Sequence, residues 1–178
     1  MVAGQRIARC PDGRYHSCNG FAVQPPAAKD ASMSDLKLIA FDTEDLAVIA
    51  AHLQDAVLRV GDMAYLKAER RFALVANRFD WTSTKGEADK GEFVRRRAGV
   101  HFEHVTHAKV QGLDLANKDQ VLSLLTLTFE ASEAPQGALT LTFAGGGAVR
   151  LEVDCIEAAL TDLGAAWATP RKPEHATD

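Results

Sequence analysis

Residues 139–167 read LTLTFAGGGAVRLEVDCIEAALTDLGAAW, and the way this stretch folds decides the architecture. Leu139, Leu141 and Phe143 alternate with Thr140, Thr142 and Ala144, the period of two expected of a strand with one buried face. Gly145, Gly146 and Gly147 supply the positive φ values of a tight reversal. Val149, Leu151 and Val153 then resume the alternation against Arg150, Glu152 and Asp154, which predicts a β-hairpin. Beyond it Ile156, Ala159, Leu160 and Leu163 fall at helical spacing, with Trp167 one turn further on. Asp154 and Glu157 have the spacing of a capping box, and Gly164 stands where a C-cap belongs. The expectation is therefore a C-terminal helix that closes the sheet, with Trp167 plugging the core.

Working outward, 178 residues at 47% hydrophobic suit one domain with a substantial core. A formal net charge of -4 leaves no excess of Lys and Arg to neutralise phosphates, which argues against nucleic acid as a partner. No apolar run approaches the roughly 18 residues of a membrane span, and no apolar segment of a signal peptide follows Arg6, Arg9 and Arg14. Cys10, Cys18 and Cys155 are odd in number and form no Cys-x-x-Cys pair, so neither a disulfide framework nor a zinc site is indicated, and a cytoplasmic location is expected. Residues 1–32 are aperiodic and rich in Gly and Pro. They read as a disordered extension, and Met33 as the true start. Residues 170–178 read as a disordered tail, leaving 33–169 as one α+β domain.

Inside that domain, Leu36 to Phe41 forms a first strand and Asp42 caps a helix carrying Glu44 and Asp45 in its first turn. Its stripe of Leu46, Ile49, Leu53, Val57 and Val60 extends to Gly61, with His52 on the solvent side near Asp55 and Arg59. Strands are predicted over 63–66 and 72–81, where either both faces are covered or a bulge near Ala76 and Asn77 switches them. Residues 82–92 are polar and charged and read as a mobile loop. From Phe93 to Gly112 the pattern fits a kinked strand or two strands. Residues 121–131 make the strongest strand, apolar on both faces at its start, as if covered by a helix. The predicted fold is α+β: a curved antiparallel sheet or pleckstrin-homology-like barrel of about six to seven strands, with a helix after the first strand and a C-terminal capping helix.

Residues that carry chemistry are sparse. His101, His104 and His107 recur at every third position, but on a strand the middle one faces away from the other two, so no metal site is read from them. The glycine triplet precedes a strand instead of opening a helix, which excludes a phosphate loop, and no Gly-x-Ser-x-Gly element is present. Cys155 reads as a buried structural cysteine. The candidate site is a basic and aromatic rim: Asn77, Arg78, Asp80 and Trp81 before the polar loop, and Arg95, Arg96 and Arg97 after it. If their strands pair, Asp80 meets an arginine and Trp81 offers a face to a guanidinium. The same residues also suit a surface salt bridge at a strand end over a core tryptophan, worth roughly 0–1 kcal/mol.

Four stretches, LKLIAFDTEDLAVIAAHLQDAVLRVGDMAYL, RFALVANRFDW, RRRAGVHFEHV and LTFAGGGAVRLEVDCIEAALTDLGAAWAT, resemble an uncharacterised bacterial domain-of-unknown-function family (number 2948). The resemblance spans residues 34–169 and implies no activity, cofactor or catalytic residue. From the residues, the first expectation is a non-enzymatic binding or adaptor domain that contacts a protein or a small anion through the rim. The alternative is a small hydrolase or transferase whose acid–base pair comes from His101, His107 and nearby carboxylates. No cofactor or metal is expected, nor a membrane or nucleic-acid partner. Pairing at a sheet edge leaves room for a homodimer.

Overall fold

A computed structural model describes residues 35–81 and 93–169 of the chain. The readings made above of residues 1–32, Met33, 82–92 and 170–178 lie outside the described residues.

The chain order is β1 (Lys37–Ala40), α1 (Thr43–Leu53), β2 (Val57–Arg59), β3 (Met63–Leu66), β4 (Arg71–Phe79), β5 (Phe93–Phe102), β6 (Val105–Gln111), β7 (Val121–Ala131), β8 (Gly137–Phe143), β9 (Ala148–Val153) and β10 (Ala158–Thr169). The ten strands form one antiparallel sheet in the order β1-β10-β5-β4-β2-β7-β8-β9-β6, with β3 added beside β4. β1 and β6 remain separate edges, so the sheet is not closed into a barrel, and the expected six to seven strands are too few. Leu74, Val100, Phe102 and Leu160 from one half of the sheet share a core with Leu139, Leu141, Phe143, Val149 and Leu151 from the other. Burying such side chains supplies about 1.5–3 kcal/mol each relative to exposure.

The hairpin is as the alternation predicts: β8 and β9 pair in register, Leu141 opposite Val149, and Gly145 and Gly146 turn the chain with φ of +85° each. The segment after it is not a helix. Ala158, Leu160 and Asp162 alternate inward along β10, which is held between β1 and β5. Alanine fits either period, so the helical spacing of Ile156, Ala159 and Leu163 competes with this alternation. Hydrogen-bonding edges on both sides decide for the strand. Asp154 and Glu157 consequently cap nothing: Asp154 pairs with Arg70, and Glu157 Oε2 lies 2.8 Å from His104 Nε2. Gly164 (φ +77°) serves a bulge between Asp162 and Ala166. Trp167 is 40% exposed instead of plugging the core, and Cys155 is half-buried in the turn between β9 and β10.

The single α-helix among the described residues starts as expected, with Asp42 Oδ1 accepting from the Asp45 amide at 2.8 Å. It ends eight residues before Gly61. Asp55 turns left-handed (φ +59°) and donates its amide to Leu124 O at 2.9 Å, after which Val57 pairs as a strand residue with Ser123 and Asn77. Leu46, Ile49 and Leu53 press the helix onto β1, β4 and β7. β4 carries no bulge, since its register with β5 runs unbroken from Phe72 to Phe79. The break lies in β7, where a register shift between Leu124 and Thr126 changes the inward set from Leu122 and Leu124 to Leu127. His104, at φ +57°, makes the kink between β5 and β6.

Candidate functional site

β4 and β5 place the predicted rim residues opposite one another: Asn77 with Arg97, Arg78 with Arg96, Phe79 with Arg95. Because successive side chains alternate, the rim is divided between the two faces of the sheet. Arg78 and Arg96 point inward with Leu74 and Ala76 and are buried, while Arg95, Asn77 and Arg97 belong to the outer face.

The inward half is a buried set of ion pairs. Arg78 donates Nε to Asp162 Oδ1 and Nη2 to Asp162 Oδ2, both at 2.8 Å, and the Leu36 amide donates to Oδ2 at 3.1 Å. Arg96 Nε donates to Asp80 Oδ2 at 2.6 Å. All four residues are at most 7% exposed, so these are interior pairs and not the surface bridge the sequence suggested. Burial pushes the Asp162 carboxyl up, but the Arg78 and Leu36 hydrogen bonds outweigh it and hold it below its ordinary range. His52, at the end of α1, is half-buried beside the set. Burial lowers its pKa, the Arg78 charge lowers it further, and Asp162 and Asp80 oppose that only in part. His52 is therefore not the solvated histidine expected. Above it, a cavity of about 390 Å³ is lined by Ala51, His52, Gln54 and Trp81. Two arginines facing two aspartates leave this inner region without spare charge.

Trp81 packs on Phe79 with ring centroids 4.4 Å apart, and Phe93 lies 5.8 Å from Phe79. The guanidinium expected over Trp81 sits instead over Phe79. Arg95 Cζ is 5.9 Å from that ring, and its Nη1 donates to the carbonyls of Asp55 and Asn77 at 3.2 and 3.1 Å. Next to it opens a polar cleft of about 230 Å³ lined by Arg59, Asp62, Val75, Asn77 and Arg97. Arg97 is exposed and has no hydrogen-bond or ion-pair partner among the described residues. Every other described arginine does have an acceptor: Asp119 for Arg59, Asp154 for Arg70, Glu103 for Arg71, Glu130 for Arg150, and those named above.

The three histidines go to three carboxylates. His101 Nε2 lies 3.7 Å from Glu103, His104 Nε2 2.8 Å from Glu157, and His107 Nδ1 3.5 Å from Glu152. His101 sits on β5 and His107 on β6, so they do not form one pair. Among the described residues no group of three or more His, Cys, Asp or Glu is arranged to hold a metal ion. Nor is any helix there long and apolar enough to cross a membrane.

The model of one family, Protein of unknown function (DUF2948), matches residues 36–175. The chain belongs to this family. Neither a curated protein nor a solved structure matches it. Both clefts of this DUF2948 chain lie inside the matched region, their lining running from Ala51 to Arg97. Sequence reasoning missed Asp162, His52, Gln54 and Arg59 as site residues. Asp162 carried a readable signal, a lone carboxylate on the inward alternation of Ala158 and Leu160. Arg59 had none, because its place beside Arg97 depends on β2 pairing with β4 after a helix that ends early.

Proposed function

We propose that this DUF2948 domain is a non-enzymatic binding module, and that it holds a small anion in the outer cleft between Arg97, Arg59 and Asn77. The observation that carries the reading is Arg97, an exposed guanidinium with no acceptor among the described residues, set in a polar concavity. Asp119, 3.5 Å from Arg59, offsets that guanidinium and leaves Arg97 as the main positive group facing the cleft, to which the Asn77 carboxamide adds a neutral donor. A planar guanidinium matches carboxylate or phosphate oxygens in a bidentate fork. The inner arginines give less support to anion binding, since Asp80 and Asp162 already neutralise them.

The acid–base alternative has weaker support. Glu103 and Glu152, the carboxylates nearest His101 and His107, are engaged by Arg71 and Lys109 at 2.6 Å each. The Lys109 hydrogen bond holds Glu152 below its usual pKa, which makes it a poor proton acceptor.

Calorimetric titration with inorganic phosphate and with citrate tests the proposal. Saturable binding tighter than about 1 mM at low ionic strength is expected, weakening with added salt. Arg97→Gln should weaken it at least about tenfold, and Arg150→Gln, on the other half of the sheet, should leave it unchanged. Absence of saturable heat with either anion, or equal binding by Arg97→Gln, would overturn the reading.

A further inference from the structure

The anion cleft does not end at Arg97. Asp62 and Val75 line it and also line a larger groove, of about 480 Å³, that continues along the outer face of the sheet. The pairing register gives its make-up: Val75 stands opposite Gly99 and Gly99 opposite Thr161, and one step further Ala73 stands opposite His101. Ala73, Val75, Gly99 and Thr161 are half-buried and form the floor. Leu66 of β3, 40% exposed, and Leu163 of β10, 50% exposed, stand at its two sides. Arg97, Gly99 and His101 share one face of β5, so the groove runs about 13 Å from Arg97 to His101 at strand rise.

Gly99 supplies a second observation. A glycine inside a strand marks a bulge, a crowded backbone or the close approach of a ligand. The register of β4 with β5 is unbroken across Gly99, its φ is not positive, and a Cβ there would meet only the Leu163 side chain, at an ordinary 3.6–4.0 Å. Neither the fold nor the packing of the described residues therefore requires glycine at this position. What the missing side chain leaves is open floor in the middle of the groove. Apolar walls around that floor, with a few polar groups at the ends, are the make-up of a small-molecule site.

We infer that the ligand is an amphipathic carboxylate, an acyl chain of middle length with its head on the Arg97 guanidinium and its chain laid over Gly99 and Ala73, between Leu66 and Leu163. The inference rests on Arg97 as the anion-holding group and names the class of anion it holds. A carboxylate matches the planar fork of a guanidinium. Asp62, at the junction of cleft and groove, accepts from the Arg59 amide at 3.3 Å, and its charge beside the head suits a single carboxylate. The chain meets no charge on the floor. At the far end Arg71 and His101 are turned to Glu103, at 2.6 and 3.7 Å, which leaves the apolar stretch between the two ends to the acyl carbons.

Calorimetric titration of the full chain with acetate, octanoate and octylamine, beside inorganic phosphate and citrate, tests it. Octanoate should bind at least about tenfold more tightly than acetate, because each methylene taken out of water strengthens binding, and octylamine, the same tail on a cationic head, should not bind. Arg97→Gln should weaken octanoate binding at least about tenfold. Gly99→Val, which fills the floor, and Leu66→Ser, which strips one wall at an exposed position, should each cut the gain over acetate at least about threefold and leave phosphate binding unchanged. Leu66→Ser carries the comparison if Gly99→Val does not fold. Phosphate or citrate held through Arg97, with octanoate no tighter than acetate, would overturn the acyl groove and leave the anion reading standing. Absence of binding by any of these compounds would overturn both. Equal binding of octanoate and octylamine, or octanoate binding that survives Arg97→Gln or the groove variants, overturns the inference as well.

Discussion

Arg78 and Asp162 stand 84 positions apart in the chain and meet fork to fork, Nε to Oδ1 and Nη2 to Oδ2, each at 2.8 Å. The pair ties β4 to β10 across β5, and the Leu36 amide, just before β1, completes the carboxylate's shell. A charge buried this deeply is costly alone and tolerable when matched.

Removing one partner should therefore cost far more than removing both. Arg78→Met is expected to destabilise the domain by about 3–5 kcal/mol, and the double change Arg78→Met with Asp162→Leu by much less. Urea denaturation of the unaltered protein, both single variants and the double variant closes the cycle. Equal losses for the single and double changes would contradict the assignment.

The same pair fixes an acid limb of stability. Asp162 is held below its ordinary pKa in the folded chain, so the folded state binds fewer protons than the unfolded one. Its contribution is fully present above the unfolded value of about 3.9 and is lost as the pH falls through the lower folded value. Thermal midpoints measured from pH 6 down to pH 2 should fall on this limb, and the double variant should show a flatter fall.

His52 works in the same direction at a higher pH. Burial and Arg78 lower its pKa, so its neutral form is favoured by folding, and stability should decline as the pH drops below about 6.5. The imidazole carbon-bound proton signals of His52 should titrate with a midpoint below 6.5, and His52→Gln should remove this part of the pH dependence. A midpoint at or above 6.5 would remove His52 from the neighbourhood of Arg78.

What sequence could and could not show follows from the range of each interaction. The hairpin around Gly145 and Gly146, the Asp42 cap and the opposition of residues 77–79 to 95–97 rest on local chemistry, and each is where the pattern puts it. The alanines of β10 satisfy two periods, and only the edges of β1 and β5 choose the strand over the expected helix. α1 is shorter than its stripe predicts: Val57 and Val60 continue the pattern, while Asp55 leaves the helix to bond Leu124, 69 positions away. The candidate site divided for a related reason. Adjacent arginines on a strand face opposite ways, so Arg96 and Arg97 have separate roles.

Two glycines should respond oppositely to a methyl group. A Cβ at Gly137 would lie 2.3 Å from Phe129 Cζ and 2.6 Å from the Glu130 carbonyl oxygen, while one at Gly99 would meet only the end of Leu163, at 3.6 Å. Gly137→Ala should cost about 1–3 kcal/mol through overpacking. Gly99→Ala should be neutral or slightly stabilising, as a residue that restricts the unfolded chain without strain. Denaturant midpoints for the two variants check the contrast.

If Arg97 is the anion-holding group, its own side-chain signal reports the anion directly. In a proton–nitrogen spectrum of the arginine Nε–H groups, titration with citrate or inorganic phosphate should shift and sharpen the Arg97 resonance, and that of Arg59 to a lesser degree. The Arg78 and Arg96 signals, already held by Asp162 and Asp80, should stay in place. An unmoved Arg97 signal at saturating anion, or shifts confined to Arg78 and Arg96, would contradict the account.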